Sequence, residues 1–192
     1  MEGIAPDVGE KKLNRLYLAI ISRYKDYIEE KEDLSVAELP TLVMPNDERV
    51  RAKTDEIKSG FLNYSYDQNF HEASIKAYEF VNREIEDITL PLQFWLTPTE
   101  TMEFMVGDSM DKNILLCSML VKLGNPSAKV FVIMRENIRD VFVYYEFGGK
   151  TYALERDRVK EFESKDLMLV SLSLGEESVA YEFNNQMYSD IF

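Results

Sequence analysis

The sequence predicts an α+β fold, in which a buried central helix packs on an antiparallel sheet behind an N-terminal helical region. Apolar residues recur at helical spacing as far as Gly124 in this chain of 192 residues. Beyond Gly124 they form short apolar or alternating runs, and Gly148-Gly149 joins two of these runs as a hairpin turn would. We therefore divide the chain into a helical region at residues 1–69 and a core at residues 70–192.

The first half of the chain carries three helical patterns. The segment EKKLNRLYLAIISRYKDYIEEKED, residues 10–33, has an apolar stripe along one side. After SVAELPTLVMP, a connector with two prolines, Asn46 is the expected N-cap of a short polar helix that ends near Gly60. The segment HEASIKAYEFVNREIEDI, residues 71–88, repeats apolar residues at helical spacing and predicts a third helix.

Capping residues mark the start of two further helices. Thr97 is an expected N-cap, because a proline follows it and Glu100 completes a capping box. The next helix is predicted at residues 108–123, where Asp108 and Asp111 would cap the first turn and complement the helix dipole. Apolar residues lie nearly all round this helix, which is typical of a helix buried at the centre of a domain.

Five later segments predict strands: AKVFVIM, DVFVYYEF, KTYALE, LMLVSLSL and VAYEFN. If the two glycines form a two-residue turn, Phe147 pairs with Lys150. Side chains alternate along a strand, so Asp140 and Glu155 then share a face as diagonal neighbours, roughly 7 Å apart. The hairpin is therefore expected to bring two carboxylates together, and a register slip of one residue would separate them.

Charge and composition exclude several classes of function. The chain has 35 acidic and 22 basic residues and a net charge of −13, which would repel nucleic acid and acidic membranes. A single cysteine excludes an internal disulfide and a cysteine-rich metal site. The acidic N-terminus has no apolar signal core, and no apolar run reaches the roughly 20 residues of a membrane span. We therefore expect a cytoplasmic protein.

The order of motifs resembles a known superfamily. Trp95 precedes TPTET, GDSMD and ILLCSMLVKLG, and the strands that follow contain DVFVYYEF and YALE. Over about residues 70–156 this order is similar to that of the transglutaminase-like superfamily of papain-like cysteine peptidases. The resemblance implies a papain-like core built on the central helix and the sheet. It also places the family's nucleophilic cysteine on Ser109, its histidine on Asp140 and its aspartate on Glu155.

None of these three positions keeps the residue that thiol chemistry needs. A helix start acidifies a thiol, whereas a serine hydroxyl requires an adjacent general base. An unperturbed carboxylate has a pKa of about 4, so it is a poor base at neutral pH. Repulsion between Asp140 and Glu155 of roughly 2 kcal/mol, at about 7 Å and an effective dielectric of about 20, does not make Asp140 as basic as histidine.

The sequence therefore predicts a transglutaminase-like protein that has lost thiol-type acyl transfer and serves as a protein-binding, peptide-binding or scaffold module. One alternative is a hydrolase or acyltransferase with Ser109 as nucleophile and carboxylate partners. In a second alternative Ser109 is an engineered replacement of cysteine. A single substitution would not explain why the family's histidine position is also changed, to Asp140. In a third the motif is a coincidence within an ordinary acidic α+β domain.

Three other residues have structural interpretations. Cys117 lies eight residues from Ser109 along the predicted helix, or about 12 Å, so we expect a small buried hydrophobe there. His71 is the only histidine and is expected to be a capping or surface residue far from the matched strands. Trp95 is expected in the core or in a cleft wall.

Four acidic residues raise the question of a cation site: Asp108, Asp111, Asp140 and Glu155. If they meet at one cleft, their carboxylates could hold a hard cation such as Mg²⁺ or Ca²⁺ through oxygen ligands. Because no calcium-loop spacing accompanies them, we expect neither a metal nor another cofactor. The sequence favours no particular oligomeric state.

Overall fold

The computed structural model describes residues 38–88, 95–135, 138–175 and 178–191. The predicted N-terminal helix at residues 10–33 lies outside the described residues and stays a prediction. The proposed division between residues 69 and 70 falls inside one helix, Tyr66–Glu84, and also stays a prediction. No helix in the described ranges combines the length and the apolar character needed to cross a bilayer.

The described residues form helices and strands in a mixed order. The helices are α1 (Leu39–Leu42), α2 (Glu48–Ser59), α3 (Tyr66–Glu84), α4 (Pro98–Phe104), α5 (Ser109–Lys122) and α6 (Lys165–Ser171). The strands are β1 (Glu86–Asp87), β2 (Val106–Gly107), β3 (Lys129–Arg135), β4 (Ile138–Phe147), β5 (Lys150–Leu154), β6 (Val159–Phe162), β7 (Ser178–Phe183) and β8 (Tyr188–Asp190). The short strands β1 and β2 pair with each other in parallel.

The other six strands form one antiparallel sheet in the order β6-β5-β4-β3-β7-β8. Helix α5 packs on one face of this sheet, which we call the α5 face, against side chains that include Val132, Val143 and Tyr145. Met168 of α6 packs on the opposite face, the α6 face, against Phe142 and others. The predicted α+β fold, with a buried central helix on an antiparallel sheet, is confirmed.

The hairpin register is also confirmed. Phe147 pairs with Lys150 across the glycine turn, and Tyr144 pairs with Ala153. Both glycines have positive φ angles of 60° and 78°, which a two-residue hairpin turn requires. The strand predictions for AKVFVIM and VAYEFN agree with β3 and β7 to within one or two residues. The sequence patterns did not indicate the short strands β6 and β8.

One predicted strand is wrong. The segment LMLVSLSL lies mostly in α6, whose first turn is capped because the Ser164 hydroxyl accepts a hydrogen bond from the amide of Leu167. Met168 is fully buried, whereas Leu167 and Val170 are 52% and 74% exposed. The segment is apolar on both its buried and its exposed side. A continuous apolar run of this kind is also the sequence pattern of a buried strand, which is why the sequence predicts one here.

The predicted helices are largely confirmed, with corrections at their ends. Thr97 caps α4 with the expected capping box. The cap of α2 is Asp47 rather than Asn46, because the Asp47 carboxylate accepts from the amides of Arg49 and Val50. Helix α3 begins and ends earlier than predicted. The expected connector contains the single turn α1, which begins one residue before Pro40.

Candidate functional site

The start of α5 is built by two aspartates, as the sequence predicts. Asp108 is the N-cap, and its carboxylate accepts hydrogen bonds from the amides of Met110 and Asp111 at 2.7 and 2.9 Å. Asp111 accepts in return from the amide of Asp108 at 2.9 Å. The reciprocal bonds form a capping box that fixes the backbone around Ser109.

Asp111 also ties the helix start to the segment before α4. Its second carboxylate oxygen accepts a hydrogen bond of 2.8 Å from the amide of Leu96. The side chain is buried, and burial together with the neighbouring charge of Asp108 raises the pKa of Asp111 to about 7 despite the backbone hydrogen bonds. A cap of this kind is sensitive to pH near neutrality.

Gly107 allows this close packing. A Cβ atom at position 107 would lie 2.9 Å from the Cβ of Asp111 and 3.3 Å from a methyl carbon of Thr101. The first contact is shorter than Cβ atoms show in proteins, so a side chain here would force the start of α5 to shift, and the second would require Thr101 to give by a few tenths of an ångström. The glycine in the GDSMD motif is therefore required by the packing of the helix start.

Ser109 is the first residue of α5 and is exposed to solvent. It borders a cavity of about 50 Å³ that is also lined by Val141, Leu154 and Arg156. Within the described residues, the Ser109 hydroxyl makes no hydrogen bond to a base. The Ser109 hydroxyl is thus accessible, and no neighbouring side chain in the described part of the chain activates it.

The polar side chains beside Ser109 are occupied by other partners. Lys112 is 7% exposed, and its ammonium donates to the carbonyl of Ile85 at 2.8 Å and to Asp87 at 3.2 Å. The amide of Asn113 donates to the carbonyls of Ser109 and Val141 at 2.7 and 3.3 Å. These contacts brace α5 against β1 and β4.

Asp140 and Glu155 border the same cleft, and Asp140 does not face Ser109. Asp140 pairs with Ile133 of β3, and Ile133 belongs to the α6 face. Its carboxylate forms an ion pair of 3.1 Å with Arg135. Both acids line a cleft on the α6 face. The expectation that the hairpin acids look at the start of the central helix is therefore wrong for Asp140.

Glu155 lies at the end of β5 and borders both cavities. Its carboxylate accepts hydrogen bonds from Arg158 at 2.7 Å and forms an ion pair with Lys160 at 2.6 Å. Burial opposes its ionisation, but the bonds from Lys160 and Arg158 outweigh burial and hold the pKa of Glu155 below its usual value. An ionised, doubly paired carboxylate is a weak base.

Arg139 and Val141 are the β4 residues that lie beside the start of α5. The guanidinium of Arg139 donates to the second carboxylate oxygen of Asp108 at 2.8 Å. Val141 lines the Ser109 cavity and packs against the core of the α5 face. The sequence did not single out either residue, since both faces of β4 are apolar and alternation alone does not show which face meets the helix.

The remaining histidine and cysteine lie elsewhere. Cys117 is fully buried, its thiol donates to the carbonyl of Ala128 at 3.6 Å, and burial raises its pKa to about 12, so the expected apolar role is confirmed. His71 lies inside α3, with Nδ1 2.9 Å from the Tyr145 hydroxyl and its ring 4.5 Å from that of Tyr152. The expectation of a capping or surface histidine is therefore wrong, and His71 is part of the helix–sheet contact.

Two further expectations concern Trp95 and metal ions. Trp95 is partly buried and packs against the main core, as expected. Across the ranges that the structure describes, no three histidine, cysteine or acidic side chains lie together in a way that could hold a metal ion. The acids named as possible cation ligands therefore do not form such a group.

Comparison with known proteins supports the fold. No family model matches the chain, and no curated protein matches it significantly. A solved structure of calcium-bound LapG from Legionella pneumophila is similar at a TM-score of 0.52 and 18% identity, over 82% of this chain and 88% of that chain. Two other LapG structures, one of them EGTA-treated, match at TM-scores of 0.53 and 0.52 with 17% and 18% identity. They cover 82% and 83% of this chain and 88% and 87% of theirs. The likeness shows that the fold is transglutaminase-like.

Proposed function

We propose that this transglutaminase-like protein lacks thiol-type acyl transfer and serves as a binding or scaffold module for a peptide or protein partner. The observation that carries the proposal is the start of α5. There the nucleophile position is held by Ser109, and no base is hydrogen-bonded to its hydroxyl among the described residues. A hydroxyl in that setting has no route to the alkoxide that acyl transfer requires.

The surroundings of Ser109 favour a structural role over catalysis. Asp108 and Asp111 are engaged in capping bonds, and Lys112 is engaged with Ile85 and Asp87. His71 is held by Tyr145 and does not line the Ser109 cavity. The groups that could act as a general base are therefore bound to other partners, in an arrangement that stabilises the helix start.

A bound calcium ion does not fit the residues at the start of α5. The LapG neighbour is described as calcium-bound, and the carboxylates at the start of α5 belong to the acidic residues that the sequence raised as possible ligands of a hard cation. Here Asp108 binds two amides and Arg139, while Asp111 binds two amides. Ca²⁺ takes roughly 6–8 oxygen ligands, whereas all four carboxylate oxygens of Asp108 and Asp111 already accept hydrogen bonds from amides or from Arg139. We propose no calcium-dependent step for this chain.

The test is an activity survey with a site control. The protein and Ser109→Ala would be incubated with amide and ester substrates and with an amine donor plus a glutamine peptide. We expect no turnover above the buffer rate for either protein. Turnover that disappears in Ser109→Ala would overturn the proposal and establish Ser109 as a nucleophile. A serine-reactive phosphonate probe provides an independent measurement, and we expect it to leave Ser109 unlabelled.

A further inference from the structure

The cleft on the α6 face is large enough to hold a ligand. Its volume is about 600 Å³, within the range of roughly 300–1,000 Å³ that is typical of small-molecule sites. We call it the basic cleft and define it by an apolar floor and basic walls: Ile133 and Phe142 form the floor, and Arg135, Arg156, Arg158 and Lys160 form the walls.

The basic cleft differs in charge from the rest of the molecule. The whole chain has a net charge of −13. Four basic side chains line the cleft, against the three acidic residues Asp140, Glu155 and Asp157, which gives a formal charge of +1. Arg156 is paired with Asp87, which lies outside the cleft, at 2.8 Å, so Arg135, Arg158 and Lys160 are the cations that face a ligand. Charges beyond a Debye length of about 8 Å are screened at physiological salt, so the local cations dominate at contact.

The acidic residues of the cleft position its cations. Glu155 binds Nε of Arg158 at 2.7 Å and Nζ of Lys160 at 2.6 Å. Arg135 is fixed by Asp140 at 3.1 Å and by the carbonyl of Leu172 at 2.8 Å. An arginine has five N–H donors and a lysine has three, so each keeps donors beyond those used in these pairs.

The floor of the cleft is apolar. Ile133 and Phe142 are only 2% and 4% exposed, and they belong to the cluster that Met168 of α6 completes. Since little of their own surface is left to cover, the apolar contact available to a ligand comes mainly from the partly buried Leu172, which lines the cleft beside them. The exposed guanidinium of Arg158, 65% exposed, lies at the rim, where it can meet an anion in water.

We propose that the basic cleft binds a carboxylate carried beside an apolar side chain, as at the free C-terminus of a peptide that ends in a hydrophobic residue. Arginine donors match the planar geometry of a carboxylate, and the apolar floor receives the neighbouring side chain. The proposal rests on the binding role proposed above, but it places the partner on the opposite face of the sheet from Ser109.

The experiment is calorimetric titration of the full chain with acetyl-Gly-Gly-Leu-Phe, either with a free carboxylate or as the C-terminal amide. We expect saturable binding of the acid and at least tenfold weaker binding of the amide. Inorganic phosphate is expected to compete weakly. Equal affinity for acid and amide would overturn the proposal, and phosphate binding as tight as the peptide would overturn the role of the apolar floor.

Charge variants locate the binding. Arg158→Gln combined with Lys160→Gln should weaken binding of the acid at least fivefold, whereas Arg83→Gln, an exposed arginine of α3, should leave it unchanged. Asp157→Asn removes a negative charge from the cleft and should tighten binding about twofold. Full affinity in the double variant would overturn the site. Ser109-dependent turnover, by contrast, would overturn only the proposed loss of catalysis.

Discussion

Arg139 connects strand β4 to the start of α5, because its guanidinium lies 2.8 Å from the carboxylate of Asp108. Alternation along β4 then places Val141 on the same face, beside the Ser109 cavity, and turns Asp140 to the opposite face. The position from which a base could reach Ser109 is thus occupied by an aliphatic side chain. At the scale of single residues, a shift of one position along β4 decides whether Asp140 or Val141 lies beside Ser109.

The alternation of side chains along β4 predicts how reactive a cysteine at position 109 would be. Ser109→Cys combined with Val141→His should react with iodoacetamide at neutral pH at least tenfold faster than Ser109→Cys alone, because an imidazole beside the thiol promotes the thiolate. The matched control is Ser109→Cys with Asp140→His, which puts the imidazole on the other face and should give no acceleration. A faster reaction in the control than in the Val141 variant would refute the face assignment.

Asp111 gives a second prediction at this scale, for stability against pH. Its pKa in the folded protein is raised to about 7 from an ordinary value of 3.8, so the folded state holds this proton more tightly than the unfolded chain. The stabilisation that protonated Asp111 contributes is complete below pH 3.8, its ordinary pKa, and is lost as pH rises through about 7. Between pH 5 and 8 the wild type should lose about 2 kcal/mol more unfolding free energy than Asp111→Asn.

Urea denaturation at each pH measures this difference. Asp166→Asn, an exposed aspartate in the first turn of α6, is the control and should follow the wild type. Asp111→Asn also loses one backbone hydrogen bond, at a cost of about 1 kcal/mol at low pH. If the wild type and Asp111→Asn give parallel pH profiles, Asp111 is not the group that titrates.

At the scale of elements, α6 shows how a short helix is held to a sheet. Only Met168 is buried among its residues, while Leu167 and Val170 are exposed. The helix covers Phe142, Tyr144 and others on the face that α5 leaves open. Met168 is therefore the fully buried anchor of this element, and Leu169 adds a partly buried contact with the same cluster.

We expect Met168→Ala to lower the unfolding free energy by about 2–4 kcal/mol, because it empties a buried site that the short helix cannot refill. Val170→Ala removes a side chain that is 74% exposed and should change stability by less than about 0.5 kcal/mol. Chemical denaturation of the three proteins measures both values. A cost for Val170→Ala that equals the cost for Met168→Ala would mean that α6 packs through its other side.

The elements also show what the sequence can and cannot predict. Caps at Thr97 and Asp108 and the glycine turn after Phe147 are local signals, and they locate α4, α5 and the hairpin. The prediction for LMLVSLSL is wrong because the apolar content of this segment fits a strand as well as a helix. The orientation of β4 cannot be predicted, since both of its faces are covered, one by α5 and the other by α6.

At the scale of the whole molecule, the fold is transglutaminase-like, and the Ser109 cavity and the basic cleft differ in size and lie on opposite faces of the sheet. The similarity to LapG extends over about four-fifths of the chain at 18% identity, which establishes the fold alone. The Ser109 cavity is about 50 Å³, whereas the basic cleft on the other side of the sheet is about 600 Å³. The larger recess therefore lies on the opposite side of the sheet from Ser109.

A prediction at this scale concerns calcium. Because the carboxylates at the start of α5 bind amides and Arg139, the melting temperature should be the same, within about 1 °C, in millimolar CaCl₂ and in EGTA. Differential scanning calorimetry measures it, with MgCl₂ as the control for ionic strength. A calcium-specific rise of several degrees would show that a site exists and that its ligands include residues other than those considered above.

The glycine and the two aspartates at the start of α5 have a consequence for which substitutions the motif tolerates. Gly107 is required by a contact of 2.9 Å, and Asp108 and Asp111 hold each other's backbone. Changing any of the three would cost stability, whereas the exposed Ser109 between them can be exchanged freely. Three of the five residues of GDSMD are therefore fixed by the architecture of a helix start, whatever chemistry position 109 performs.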